Sequence, residues 1–119
     1  IVTTPQQVAV DDAYRAVNMF AKLETPLFGI IENMAYLEMP DGSHQFLFGE
    51  KGGERLAAQV GVPFLGRIPI DARIGLGGDI GSPEVLQESL SPAGEALIEI
   101  ARNVAAEASK EAYRKIQAR

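Results

Sequence analysis

Apolar positions along this 119-residue chain fall into short β-branched runs alternating with stretches of helical spacing. Ile1 to Thr4 is β-branched throughout and predicts a buried strand. Thr4-Pro5-Gln6-Gln7 then has the form of a helix start, with Thr4 as cap, Pro5 in the first turn and Gln7 completing a capping box. Val10, Ala13, Val17 and Phe20/Ala21 form one stripe, so this helix should run to about Lys22. Thr25-Pro26 breaks it, and Leu27 to Ile31 predicts a second strand that stops at an acid and an amide, Glu32-Asn33. Residues 33–50 are rich in turn formers and predict a small hairpin pairing Tyr36–Glu38 with Gln45–Phe48. Gly52-Gly53 opens a short helix over Glu54–Val60, which Gly61 ends. Pro63 to Ile68 is the third strand, broken at Pro69 with Asp71 two residues later. Residues 71–90 read as a Gly-rich connection. A final helix is expected from Ser91-Pro92, with a docking stripe of Ala93, Ala96/Leu97, Ile100/Ala101, Val104 and Ala108. Its polar tail, residues 110–119, either extends it or frays.

Strands alternating with helices indicate parallel β-α-β units with right-handed crossovers. Three strands make only part of a doubly wound α/β sheet. The chain opens without an initiating Met, as a strand entered in mid-protein, and reads as a fragment. No charged segment precedes an apolar one at the start, and no apolar run approaches the ~18–20 residues that span a bilayer. No signal peptide and no membrane-spanning segment are expected in these residues.

Composition narrows the chemistry. A net charge of −5 argues against a general nucleic-acid surface. Lys110, Arg114, Lys115 and Arg119 are concentrated in the tail, so the acid excess lies upstream. With no Cys, disulfides and thiolate metal sites within the chain are excluded. His44 is the sole histidine and sits in a Gly/Ser/Asp loop, the setting of a solvated turn residue. No metal ligand set and no catalytic nucleophile emerge. Gly75-Leu-Gly-Gly-Asp-Ile-Gly81 is no dinucleotide fingerprint, because Ile80 stands where the third glycine belongs. Gly49-Glu-Lys-Gly-Gly53 is no Walker A loop, because Lys51 precedes the glycines and no Ser/Thr follows. Both read as backbone-permissive turns.

The strand ends carry more. In open α/β sheets, ligands sit beyond the carboxyl ends of parallel strands. Asn33, with a donor and an acceptor, can read a purine edge there or simply close a turn. Pro69 and Asp71 can wall a base and cap the next turn, or be only a turn signal.

Several ordered blocks go further. They are Val2-Thr-Thr-Pro-Gln6 with Asp12-Ala13, Gly29-Ile-Ile-Glu-Asn-Met34 with Tyr36, and Phe48-Gly49 with Gly52-Gly53 and Leu56-Ala57. Gly61-Val-Pro-Phe-Leu-Gly66, Ile68-Pro69, Asp71, Ile74 and Gly78-Asp-Ile-Gly81 with Pro83 complete the series. In this order the chain, from Ile1 to about Ala108, resembles the carboxyl-terminal part of the Mrp/ApbC family of P-loop ATPases, relatives of MinD and ParA. The resemblance implies that residues 1–109 are the carboxyl-terminal part of a nucleotide-binding domain, with 110–119 as its extension. It implies an ATP-binding cytosolic homodimer that carries or assembles iron–sulfur clusters for recipient proteins. Base contacts map to Asn33, Pro69 and Asp71. The phosphate loop and magnesium-binding acids of the family lie in sequence upstream of these blocks, so ATPase activity is expected of a full-length protein and not of residues 1–119 alone. Where many members carry Cys-Pro-x-Cys, this chain reads Met39-Pro-Asp-Gly42. A thioether and a glycine cannot replace thiolates, so a cysteine-bridged cluster at this loop is not supported. A regulatory or positioning ATPase of the MinD/ParA type is the alternative.

Overall fold

In the computed structural model, which describes residues 1–119, a three-stranded parallel sheet carries the molecule. Strand β1 (Val2–Thr3) leads into helix α1 (Gln7–Lys22), and β2 (Ile30–Glu32) into a hairpin of β3 (Leu37–Glu38) and β4 (His44–Gln45). Helix α2 (Gly52–Val60), β5 (Phe64–Arg67), α3 (Ala72–Ile80), a 3-10 turn over Glu84–Leu86 and α4 (Pro92–Gln117) follow. The sheet order is β1-β2-β5 with both neighbours parallel, the side-by-side arrangement expected for the three apolar runs. The antiparallel β3-β4 pair forms a hairpin where one was expected, but its second strand is His44–Gln45 rather than Gln45–Phe48, pairing Leu37↔Gln45 and Glu38↔His44. Asp41 closes its turn by accepting from the Ser43 amide at 2.9 Å.

One core cluster lies between the sheet and two helices. It contains Val10, Ala13 and Val17 from α1, Ile30 from β2, and Leu56 and Ala57 from α2. The predicted α1 stripe is therefore buried along its first three turns, whereas Ala21 is exposed. Helix α4 packs on β5: Asn103 Nδ2 donates to the Leu65 carbonyl at 2.9 Å, and Ile100 lies directly over Gly66. Ser91 caps α4 by accepting from the Gly94 amide at 3.1 Å, with Pro92 in the first turn. The helix is continuous through residues 110–117, and ion pairs such as Lys110–Glu107 span its exposed face.

Three local expectations are corrected. The second strand is Ile30–Glu32 rather than Leu27–Ile31, because Val2 and Thr3 pair with Ile31 and Glu32 and draw the acid into the ladder. Helix α1 has no capping box. Its cap residue is Gln6, without a side-chain bond, because the Thr4 hydroxyl donates to the Gln6 side chain and Gln7 Nε2 turns to Asp11 Oδ1 at 2.8 Å. The Gly-rich connection of residues 71–90 contains α3, so Gly75, Gly77 and Gly78 are helical rather than turn residues. Each glycine costs a helix about 1 kcal/mol. The offset comes from capping at both ends. Asp71 accepts from the Arg73 amide at 2.9 Å, and Gly81 (φ 73°) ends the helix as Ser82 N donates to Gly77 O at 2.8 Å.

Gly66 sets the distance of α4 from the sheet, because a Cβ there would come within 2.6 Å of Ile100 Cγ1. Gly66→Ala should lower unfolding free energy by about 1–3 kcal/mol in urea titrations. Adding Ile100→Ala should cost less than the sum of the two single changes, and strict additivity would show that the two residues do not oppose each other.

Candidate functional site

Strand β2 ends in a carboxylate that the interior holds. Glu32 is 1% exposed, and its Oε2 accepts from the Gly53 amide at the start of α2 at 2.6 Å. Arg67 Nε, at the end of β5, lies 3.4 Å from the other oxygen. A buried carboxylate is tolerated when it is paired and hydrogen-bonded, and a helix N-terminus favours negative charge. Arg67 also binds Glu54 of α2 at 2.7 Å and lies over the Phe64 ring, 4.7 Å from its centroid. One anion thus fastens β2, β5 and α2 together.

The chain leaves this anchor as Asn33. Its amide N–H donates to the Thr3 carbonyl at 2.7 Å, so the residue is fixed at the carboxyl end of the sheet. Its side-chain Oδ1 accepts from the Met34 amide at 2.9 Å, and Nδ2 has no protein acceptor. Met34 has φ 51°, a left-handed conformation unusual for this residue type. That turn brings the chain alongside the extension of β5. Ala35 N donates to Ile68 O at 3.0 Å and Ile70 N to Tyr36 O at 2.7 Å, with the buried Pro69 between them.

Asn33, Pro69 and Asp71 converge on one cavity of about 330 Å³, completed by Met34, Ile70, Ala72, Ile74 and Gly75. Its walls are mainly apolar, with a free amide donor at the strand end. That suits a planar base. The same Pro69–Ala72 segment walls a second cleft of about 470 Å³, toward Leu37–Pro40 of the hairpin and Arg73. Asp71 is more constrained than the other two residues. The Arg73 guanidinium donates to both its oxygens, at 2.9 Å to Oδ1 and 2.6 Å to Oδ2. Hydrogen bonding from Arg73 holds the Asp71 carboxyl below the usual carboxylate range, despite the opposing effect of burial. Met39 and Gly42 lie in the hairpin. His44 stacks on Tyr36 with ring centroids 3.9 Å apart, so it is an ordered part of the hairpin rather than a free turn residue.

Glu32 stands in one of the ordered sequence blocks without a role assigned to it, and motif spacing singles out neither Arg67 nor Arg73. The signal for Glu32 is an acid ending an apolar run with a Gly-Gly helix start 20 residues downstream, a pairing visible only once the strand and helix are adjacent.

A parallel sheet with helices connecting its strands, and a cavity beyond two strand ends, defines an α/β protein with a partial P-loop NTPase fold. The chain belongs to the ParA family, described as NUBPL iron-transfer P-loop NTPase, whose model matches residues 1–105. It is 49% identical over 105 residues to the iron-sulfur cluster carrier protein of Pyrococcus horikoshii, covering 87% of this chain and 35% of that protein. Among solved structures it resembles the MinD cell division protein of Aquifex aeolicus, with TM-score 0.68, 24% identity and coverage of 89% of this chain and 42% of that one. A nucleotide-binding protein in complex with ADP from Archaeoglobus fulgidus matches at TM-score 0.57 and 36% identity, covering 66% of this chain and 33% of that one. The chain therefore spans about a third of the length of the curated relatives it matches.

Glu32→Gln keeps the shape and removes the charge. It should cost about 1–3 kcal/mol of stability in chemical denaturation. Glu54→Gln, on the exposed side of Arg67, should cost less than about 1 kcal/mol. Equal costs would remove Glu32 from its anchoring role.

Proposed function

We propose that this chain is the base-recognition side of an ATP-dependent iron–sulfur cluster carrier that works in the cytoplasm as a homodimer and delivers clusters to recipient proteins. The observation that carries the reading is the convergence of Asn33, Pro69 and Asp71 on one apolar-walled cavity, with Asn33 Nδ2 unpaired. Membership of an iron-transfer family supports the cargo. Asn33 donates to a ring nitrogen of the base, and Pro69 with Ile74 covers its faces. Asp71 acts through Arg73 and the α3 cap, holding the wall in place rather than offering a free oxygen.

ATP binding supplies the energy that changes the carrier's state. The phosphate loop and magnesium-binding acids that act on the triphosphate belong to sequence outside residues 1–119, and this chain alone does not hydrolyse ATP. Residues 1–109 form the carboxyl-terminal part of the nucleotide domain, and 110–119 extend it as helix. The cluster is cargo. Met39 and Gly42 offer it no thiolate, so its ligands come from outside this chain. That same pair favours the second reading, a regulatory or positioning ATPase of the MinD/ParA type without cargo.

The test uses the protein with its phosphate loop. Asn33→Ala should raise the ATP Kd about 5–150-fold in titration calorimetry, the equivalent of about 1–3 kcal/mol for a lost buried hydrogen bond. Unchanged affinity would return Asn33 to a turn-closing role. Anaerobic reconstitution of that protein separates the two readings: a bound cluster supports the carrier, and ATP binding without one supports the regulator.

A further inference from the structure

Beside the hairpin lies a cavity of about 410 Å³ that shares no lining residue with the base pocket. Its lining is Tyr36, His44, Phe46, Lys51 and Arg67. No carboxylate is among them, in a chain whose net charge is −5. The aromatic part is ordered. Tyr36 and His44 stack at 3.9 Å with planes 10° apart, and Phe46 meets both edge-on at 6.4 Å. The polar part consists of groups able to donate: the Tyr36 hydroxyl, the His44 imidazole, the Lys51 ammonium and the Arg67 guanidinium.

The two cations differ. Arg67 is already compensated by Glu32 and Glu54. Lys51 takes part in none of the molecule's ion pairs. Its backbone is left-handed, φ 60°, as the residue that precedes α2, so its position is set by the helix start rather than by a charge partner. Glu38 pairs with His44 across the hairpin and lines the adjoining cleft toward Pro69–Arg73. Burial and the Glu38 carboxylate hold the Tyr36 phenol above its ordinary value against the pull of Arg67, so its hydroxyl remains a donor.

We propose that this cavity binds a small planar anion, an aromatic or heteroaromatic ring bearing a phosphate or carboxylate, with the anionic group on Lys51 and Arg67 and the ring against Phe46 and the Tyr36–His44 stack. The size lies within the range of small-molecule sites. Aromatic faces with few convergent donors provide orientation, and the Lys51 ammonium is the one cation of the lining that no ion pair engages. This site stands independently of the nucleotide reading, because none of its lining residues lines the base cavity.

His44, the sole histidine, is a built-in reporter. Phenyl phosphate, benzoate and inorganic phosphate are titrated separately into the 119-residue chain at constant pH and ionic strength, following the His44 ring resonances by NMR. Phenyl phosphate or benzoate should shift them saturably, and the tighter of the two identifies the anionic group. Inorganic phosphate should bind at least tenfold more weakly. Lys51→Asn removes the charge while suiting a left-handed backbone, and should weaken binding at least tenfold; Lys51→Arg should restore most of it. Phe46→Ala should weaken the ring-bearing anions and leave inorganic phosphate unchanged. Absence of a saturable shift with any probe, or equal affinity in Lys51→Asn, would overturn the proposal.

Discussion

A single buried carboxylate organises this fold. Glu32 is enclosed where three elements meet, and a charge in that position is stable only with partners in place. The Gly53 amide and the Arg67 guanidinium meet it from α2 and β5. The fit leaves no room for a side chain on the helix: a Cβ at Gly53 would lie 2.9 Å from Glu32 Cβ, and one at Gly52 would lie 2.4 Å from the Pro5 carbonyl. Two adjacent glycines therefore let α2 start against both the end of β2 and the segment that follows β1. The direction of the chain after Glu32 follows from this clamp, and Asn33 is the next residue.

The proposed base pocket is a consequence of the same arrangement. Residues just beyond Glu32 and just beyond Arg67 leave the sheet from neighbouring strands, and their backbones remain bonded through Ala35, Ile68, Ile70 and Tyr36. Amide, proline and acid meet because the strands that deliver them are adjacent and parallel. The capped but glycine-rich α3 then forms one wall. Its intrinsic helix propensity is poor, so this wall depends on Asp71 and Gly81 at its two ends.

Much of this was legible in the chain. Short β-branched runs and the helical stripes of α1 and α4 are strong periodic signals, and they gave the parallel order. Ser91-Pro92 likewise marks the start of α4 because cap and proline act locally. The misreadings have local causes too. Three glycines within α3 conceal a helix whose stability resides in its caps. Thr4 has the identity of a cap but bonds to Gln6 instead. Glu32 and Arg67 could not be recognised as partners, since their pairing depends on tertiary register between β2 and β5. Asn33 kept two readings in sequence because its local bond to Met34 serves a turn, while its unpaired Nδ2 is apparent only in three dimensions.

The central claim is that this unpaired amide faces the nucleotide base. It is tested most directly by assigning the Asn33 side-chain ¹⁵N–¹H pair in the protein that carries the phosphate loop, then adding ATP. The account predicts a saturable shift of that pair, tracking the calorimetric binding curve and lost when triphosphate without a base is used. Tight ATP binding that leaves the Asn33 amide unmoved would contradict it.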